Sequence, residues 1–163
     1  MKINRSELER GFKNKLFDIP VEGLHLEDVR IENDPMECIL SADPFPKGIK
    51  LSGSLKVHFL ESCDRCLESL VEVHTTKVNC LLTPIKAMID DFETQVIYFN
   101  STDLEVDIGP ILKEIILLEE SWKRLCREDC KGLCPTCGIN QNFGTCECHD
   151  DSSDSPWDAL KQI

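Results

Sequence analysis

Ten cysteines stand in a chain of 163 residues, and eight of them fall into close pairs. The pairs are Cys63/Cys66, Cys126/Cys130, Cys134/Cys137 and Cys146/Cys148. Thiols this close along a chain can face one ion from a single tight turn. Zinc takes four such ligands tetrahedrally and holds segments that have too little apolar core to fold alone. In Cys134-Pro135-Thr136-Cys137-Gly138, Pro135 stiffens the turn. Gly138 stands where the chain must bend away from the ion, and a positive φ is expected there. Only a short loop separates Cys137 from Cys146, so Cys134, Cys137, Cys146 and Cys148 are expected to form one zinc site.

Two readings remain for the earlier pairs. In one, Cys63, Cys66, Cys126 and Cys130 form a second zinc site. In the other, Cys126 or Cys130 joins the C-terminal set, and Cys63 and Cys66 are free or weakly bound. His149, beside Cys148, is either a substitute ligand or an exposed histidine in an acidic loop, and the second reading is favoured. Cys38 and Cys80 stand apart and read as buried, inert core thiols.

Ten cysteines mean disulfides or metal, and compartment decides between them. Met1–Glu7 contain no apolar run of the kind that opens a secretory signal. No apolar stretch approaches the length needed to span a bilayer. A reducing, cytoplasmic location with no membrane partner is expected, and with it metal rather than disulfide.

Catalytic patterns are missing. There is no Gly-x-Ser-x-Gly elbow, no phosphate-cradling glycine loop and no His-Glu-x-x-His helix. A hydrolytic zinc keeps an open position, whereas an all-thiolate site is closed. A thioredoxin-type reading of Cys63-Asp64-Arg65-Cys66 needs a helix N-terminus after the first thiol. The residues that follow read as strand, and Asp64 opposes thiolate formation. The chain is expected not to be an enzyme.

The formal net charge is −12. A simple nucleic-acid binder would be basic. An acidic chain is instead drawn to basic proteins. Arg65, Lys123, Arg124, Arg127 and Lys131 gather around the cysteine pairs. They are either an RNA or partner contact or merely counter-charges for nearby acids and thiolates, and the second reading is favoured.

These groups need a scaffold. Ser6–Glu9 fits a capping box and predicts a short helix. Met36–Ala42 reads as a strand with Cys38, Leu40 and Ala42 on one face. Residues 49–60 alternate clearly, and a second strand covers about 70–82, so the two form an antiparallel hairpin with Cys63–Cys66 near its tip. Val96–Phe99 and Leu104–Ile108 read as two further strands joined at 100–103. Pro110 suits the first turn of a helix whose apolar positions, Ile111 to Trp122, recur at helical spacing to about residue 124. Residues 149–156 read as an acidic linker, and Trp157–Lys161 as a short docking turn. The expected architecture is α+β: an antiparallel sheet or partly open barrel packed on one main helix, with a C-terminal zinc-knuckle extension. The expected division is a core domain over 1–125 and a cysteine-rich, zinc-binding extension with an acidic tail over 126–163.

Several of these stretches together resemble one family. Cys63-Asp64-Arg65-Cys66-Leu67-Glu68, the run from Cys126 to Asn140, Cys146-Glu147-Cys148 and the helix opening Asp107–Leu118 are similar to the YceD family, the large ribosomal RNA subunit accumulation proteins of bacteria and plastids. The similarity covers roughly residues 50–163. It implies a non-catalytic role in ribosome biogenesis, in accumulation or processing of large-subunit ribosomal RNA. The family's end pattern, Asp-Pro-Arg before a short apolar segment, is matched only loosely by Ser155-Pro156-Trp157-Asp158. Together with the charge, the resemblance implies a partner in the large-subunit ribosomal precursor: a basic ribosomal protein, with ribosomal RNA touched through the basic residues. The competing expectations are a zinc-stabilised adaptor unrelated to ribosomes and a thiol oxidoreductase.

Overall fold

The computed structural model describes residues 1–26, 29–86 and 95–148. His149, the acidic stretch 149–156 and the expected turn at Trp157–Lys161 lie outside the described residues. The described residues divide into two compact units: those of Met1–Glu61 with Ser69–Trp122, and Ser62–Glu68 with those from Lys123 to Cys148. The sequence placed the division at 125/126 and left the Cys63–Cys66 segment with the core. That short segment groups with the later cysteines instead.

The first unit is rich in sheet. Its elements are β1 (Lys2–Asn4), α1 (Arg5–Arg10), β2 (Phe12–Ile19), a 3-10 turn (Val21–Leu24), β3 (Met36–Phe45), β4 (Gly48–Ser62), β5 (Ser69–Thr83), β6 (Gln95–Tyr98), β7 (Glu105–Asp107) and α2 (Gly109–Leu118). Five strands form one sheet in the order β2-β3-β4-β5-β6, and β1 pairs with β7 in a second sheet. β2 and β4 both run antiparallel to β3. β4 and β5 are joined by residues 63–68, a connection too short for a parallel crossover.

β4 shows why these residues make strands. Ile49, Leu51, Leu55, Val57 and Phe59 are buried, while the residues between them are not. Alternation of this kind places one face on the core. Gly53 breaks the apolar row for a steric reason. It faces Leu40 on β3, and a Cβ there would lie 1.9 Å from the Ile39 carbonyl oxygen. On β3 itself, Met36, Cys38, Leu40 and Ala42 form the buried row. Burial alone pushes the Cys38 thiol up to about 12 and the Cys80 thiol up to about 11. Both are inert core residues.

Helix α2 closes the core with Ile111, Leu112, Ile115 and Ile116, all buried. Pro110 sits in its first turn, where a missing N–H costs no hydrogen bond.

The sheet is mixed, not antiparallel, because β6 runs parallel to β5 from Cys80↔Gln95 to Thr83↔Tyr98. A parallel neighbour is not announced by a tight turn. β6 and β7, read as neighbours, belong to different sheets; β7 pairs instead with β1, Ile3 opposite Val106. Strand β2 went unread because it carries little alternation. Its register shifts between Phe12 and Lys15, where Asn14 has a φ of 48°. Such a bulge destroys the two-residue period. Helix α1 forms as expected, but it starts at Arg5 behind Asn4, with no side-chain capping bond. Helix α2 ends at Leu118, six residues early, and Leu118 and Trp122 are exposed and are not core.

Candidate metal centre

The second unit carries all eight paired cysteines. Two turns begin the two sites, and they are built alike. In the first, the Leu67 N–H donates to the Cys63 carbonyl at 2.9 Å, and the Cys63 N–H donates to the Glu68 carbonyl at 2.8 Å. In the second, the Gly138 N–H donates to the Cys134 carbonyl at 2.9 Å, and the Cys134 N–H to the Ile139 carbonyl at 2.9 Å. This closure turns the amides inside each turn toward the first sulfur. Gly138 has the positive φ its position demands, 74°.

The structure groups the thiols into two sets of four: Cys63, Cys66, Cys126 and Cys130, and Cys134, Cys137, Cys146 and Cys148. The sulfurs of each set all lie within 4.8 Å of one another. Cys63 Sγ is 3.8 Å from Cys130 Sγ, and Cys66 Sγ is 3.5 Å from Cys126 Sγ. A tetrahedral ion with bonds of about 2.3 Å to sulfur spaces its ligands about 3.8 Å apart. The donor set and its spacing therefore fit a thiophilic ion such as zinc. The arrangement in which Cys126 or Cys130 joins the C-terminal set is not the one formed.

The CxxC interior does the positioning. The Asp64 N–H donates to the Arg124 carbonyl, and the Arg124 N–H donates to Asp64 Oδ2, both at 2.8 Å. This two-way clamp lays the chain before Cys126 along the first turn. Arg65 Nη1 donates to the Cys130 carbonyl at 2.8 Å, and the Leu133 N–H donates to the Arg65 carbonyl at 3.1 Å. Gly132, with a φ of 78°, packs so close that a Cβ would meet the Arg65 carbonyl oxygen at 3.1 Å.

Electrostatics within the sets point to a cation. Burial raises the Cys63 thiol, but backbone hydrogen bonds from Cys126, Cys66 and Arg65 outweigh it, and the thiol falls to about 6. Backbone hydrogen bonds from Cys137 and Thr136, aided by the Cys146 thiol, bring Cys134 down to about 6. Cys66 and Cys126 in the first set, and Cys146 and Cys148 in the second, move the other way. Burial and then the neighbouring thiols push Cys126 up to about 12. The Cys137 thiol, then burial, pushes Cys148 up to about 12. Each set thus places sulfurs that ionise readily, Cys63 and Cys130 in one and Cys134 in the other, beside sulfurs that resist ionising, because thiolates this close repel. A divalent ion removes that conflict and lets all four deprotonate.

The five basic candidates lie in this same unit. Arg65 is engaged by Cys130, and Arg124 pairs with Asp64 at 3.4 Å. Arg127 Nη2 donates to Asn142 Oδ1 at 2.8 Å, and its Nε lies 3.4 Å from Asp129 Oδ1. Lys123 and Lys131 are exposed. The sequence reading missed Asn142, whose Nδ2 donates to Cys130 Sγ at 3.3 Å. An asparagine in a polar loop carries no signal of such a contact.

Residues 51–163 match the family described as "Large ribosomal RNA subunit accumulation protein YceD". The chain belongs to the YceD family. The chloroplastic YCED homolog 1 of Zea mays is 40% identical over 53 residues, covering 32% of this chain and 18% of that one. The Arabidopsis thaliana counterpart is 26% identical over 159 residues, covering 81% and 49%. An uncharacterized protein of Mycobacterium tuberculosis is 26% identical over 114 residues, covering 64% and 50%. The chain thus spans half or less of the length of these curated relatives. No solved structure matches it. Among the described residues, no helix is long and apolar enough to cross a membrane.

Proposed function

We propose that this protein is a non-catalytic ribosome-biogenesis factor that supports accumulation of large-subunit ribosomal RNA. Membership of the YceD family over residues 51–163 carries the reading. The names of the plant relatives, large ribosomal RNA subunit accumulation proteins, point the same way. The two four-thiolate sets hold zinc, which staples the second unit; with every ligand position filled by protein, neither site admits a substrate or leaves a thiol for redox exchange.

The partner is a basic ribosomal protein of the large-subunit precursor. A chain of net charge −12 attracts such proteins and repels RNA over most of its surface. The basic residues of the second unit do not reverse this. Residues 62–68 and 123–148 hold five basic and five acidic side chains, and each metal-loaded thiolate set keeps a net negative charge. Contact with ribosomal RNA, where it occurs, runs through Lys123 and Lys131, since Arg65, Arg124 and Arg127 already hold protein groups.

Depletion in cells tests the proposal. Mature large-subunit ribosomal RNA is expected to fall relative to small-subunit RNA, and the tagged protein is expected to co-sediment with large-subunit precursors. Unchanged ratios of the two RNAs in fast growth and in the cold would overturn the assembly role and leave a zinc-stabilised adaptor of another process.

A further inference from the structure

Asn142 lies in the loop between the two thiol pairs of the C-terminal set, yet its amide touches the other set. Its Nδ2 donates to Cys130 Sγ at 3.3 Å and to Asn140 Oδ1 at 2.8 Å. Its Oδ1 accepts from the Lys131 N–H and from Arg127 Nη2, both at 2.8 Å. Its own backbone N–H donates to Asn140 Oδ1 at 3.0 Å. A side-chain amide offers two donors and two acceptor lone pairs, so the whole capacity of Asn142 is used. The amide orientation is thereby decided. A flipped amide would set its N–H groups against two other donors and its oxygen against a thiolate.

The loop that presents Asn142 has little apolar matter to hold it. Ile139 and Phe143 are both exposed. Its order comes from a few backbone bonds, the Gln141 N–H to the Gly132 carbonyl at 2.9 Å and the Leu133↔Asn140 bridge, and from closure by Cys134, Cys137, Cys146 and Cys148. Ordering such a loop costs conformational entropy that its own packing cannot offset. An ion on the C-terminal set supplies the missing free energy.

We propose that Asn142 couples the two metal sites: an ion on the C-terminal set orders the 138–145 loop, which seats the Asn142 amide on Cys130 and strengthens the grip of the first set on its own ion. The inference rests on the reading that both sets bind metal. An N–H···S bond stabilises negative charge on the ligating sulfur and fixes its direction, the usual work of an outer-shell group. Linkage makes the effect mutual, so an ion on the first set also favours the second.

Cobalt(II) titration of the full chain under reducing, oxygen-free conditions tests this, with chelator competition giving the affinity of each site. Variants Cys134→Ser/Cys137→Ser and Cys63→Ser/Cys66→Ser isolate the first and second sets, and circular dichroism checks that the sheet persists. Removing the second set is expected to weaken cobalt at the first by about tenfold or more, the scale of an outer-shell loss. Asn142→Ala is expected to weaken it by a similar factor, and the two changes together by no more than either alone. Asn142→Asp keeps acceptors for Lys131 and Arg127 but has no N–H for Cys130, so it too is expected to weaken the first set. The cadmium-113 resonance of the first site is expected to shift in both Asn142 variants. Two ions bound with unchanged first-site affinity and resonance in Asn142→Asp and Asn142→Ala would overturn the coupling alone. A wild-type chain that binds no cobalt, zinc or cadmium would overturn the metal reading and the coupling with it.

Discussion

Leu67 and Gly138 hold the same place in two separate thiolate turns. Each follows the second cysteine of its turn, each donates its N–H to the carbonyl of the first cysteine at 2.9 Å, and each has a positive φ, 62° and 74°. Glycine takes that conformation freely, whereas a residue with a Cβ is strained by it.

The asymmetry sets opposite outcomes for two substitutions. Leu67 is 66% exposed, so Leu67→Gly sacrifices little packing and relieves the strain. It is expected to tighten metal binding at the first site by about 0.5–1 kcal/mol, roughly two- to fivefold. Nothing lies within 4 Å of a Cβ built on Gly138, so the cost of Gly138→Ala is backbone strain alone. That change is expected to weaken the second site by about 1 kcal/mol. Chelator competition reads both; the same sign for the two changes would refute the shared geometry.

Metal content follows from the two sets. Elemental analysis of protein purified without chelator is expected to give two zinc ions per chain, on the eight thiols grouped in the structure. Cys134→Ser is expected to remove one ion and expose the segment after residue 130 to protease while the sheet signal remains, because that segment has little buried apolar surface. Acidification is expected to release both ions, since protons compete for thiolates. Disulfides in place of zinc would contradict the assignment.

Alkaline titration reads the core thiols. Cys38 rises from its ordinary value of 9.0 to about 12, and Cys80 from 9.0 to about 11, both through burial. Between the unfolded and folded values the native chain binds more protons than the unfolded one, so stability falls as pH rises. Their contribution is intact below about pH 9 and is lost toward pH 11 to 12. Cys38→Ala is expected to flatten that decline relative to wild type in denaturant unfolding of the metal-loaded protein. An equal slope in both proteins would show that Cys38 ionises without hindrance.

Helix α2 and the residue just beyond its end separate stability from binding. Leu112 is fully buried, and Leu112→Ala is expected to cost about 2–5 kcal/mol of folding stability. Trp122, just beyond the helix, is fully exposed, and Trp122→Ala is expected to change stability by less than about 0.5 kcal/mol. It is nonetheless expected to weaken capture of the ribosomal partner, since an exposed tryptophan is a favoured interface anchor. Capture should also weaken steeply with salt, because the screening length falls from about 10 Å at 0.1 M to about 3 Å at 1 M. Salt-insensitive binding to naked RNA would speak for the basic residues as the main interface.

Local chemistry was legible in the chain itself. Paired cysteines within one turn, the glycine after Cys137, the alternation along β4 and the apolar rows of β3 and α2 depend on residues a few positions apart, and their periods survive in the bare sequence. The thiols of Cys38 and Cys80 could be read as core for the same reason. Other features depend on residues far apart. Cys63 and Cys66 meet Cys126 and Cys130 about sixty positions away, held by the Asp64–Arg124 clamp and the Arg65 bond to Cys130. No spacing rule announces that pairing, nor the parallel approach of β6 to β5, nor the match of β1 with β7. The same holds for Asn142, whose role exists only because a loop of one site passes a sulfur of the other. Sequence determined which groups could bind an ion; the tertiary structure decided which of them share one, because chain entropy is overcome only where distant segments bond at several points together.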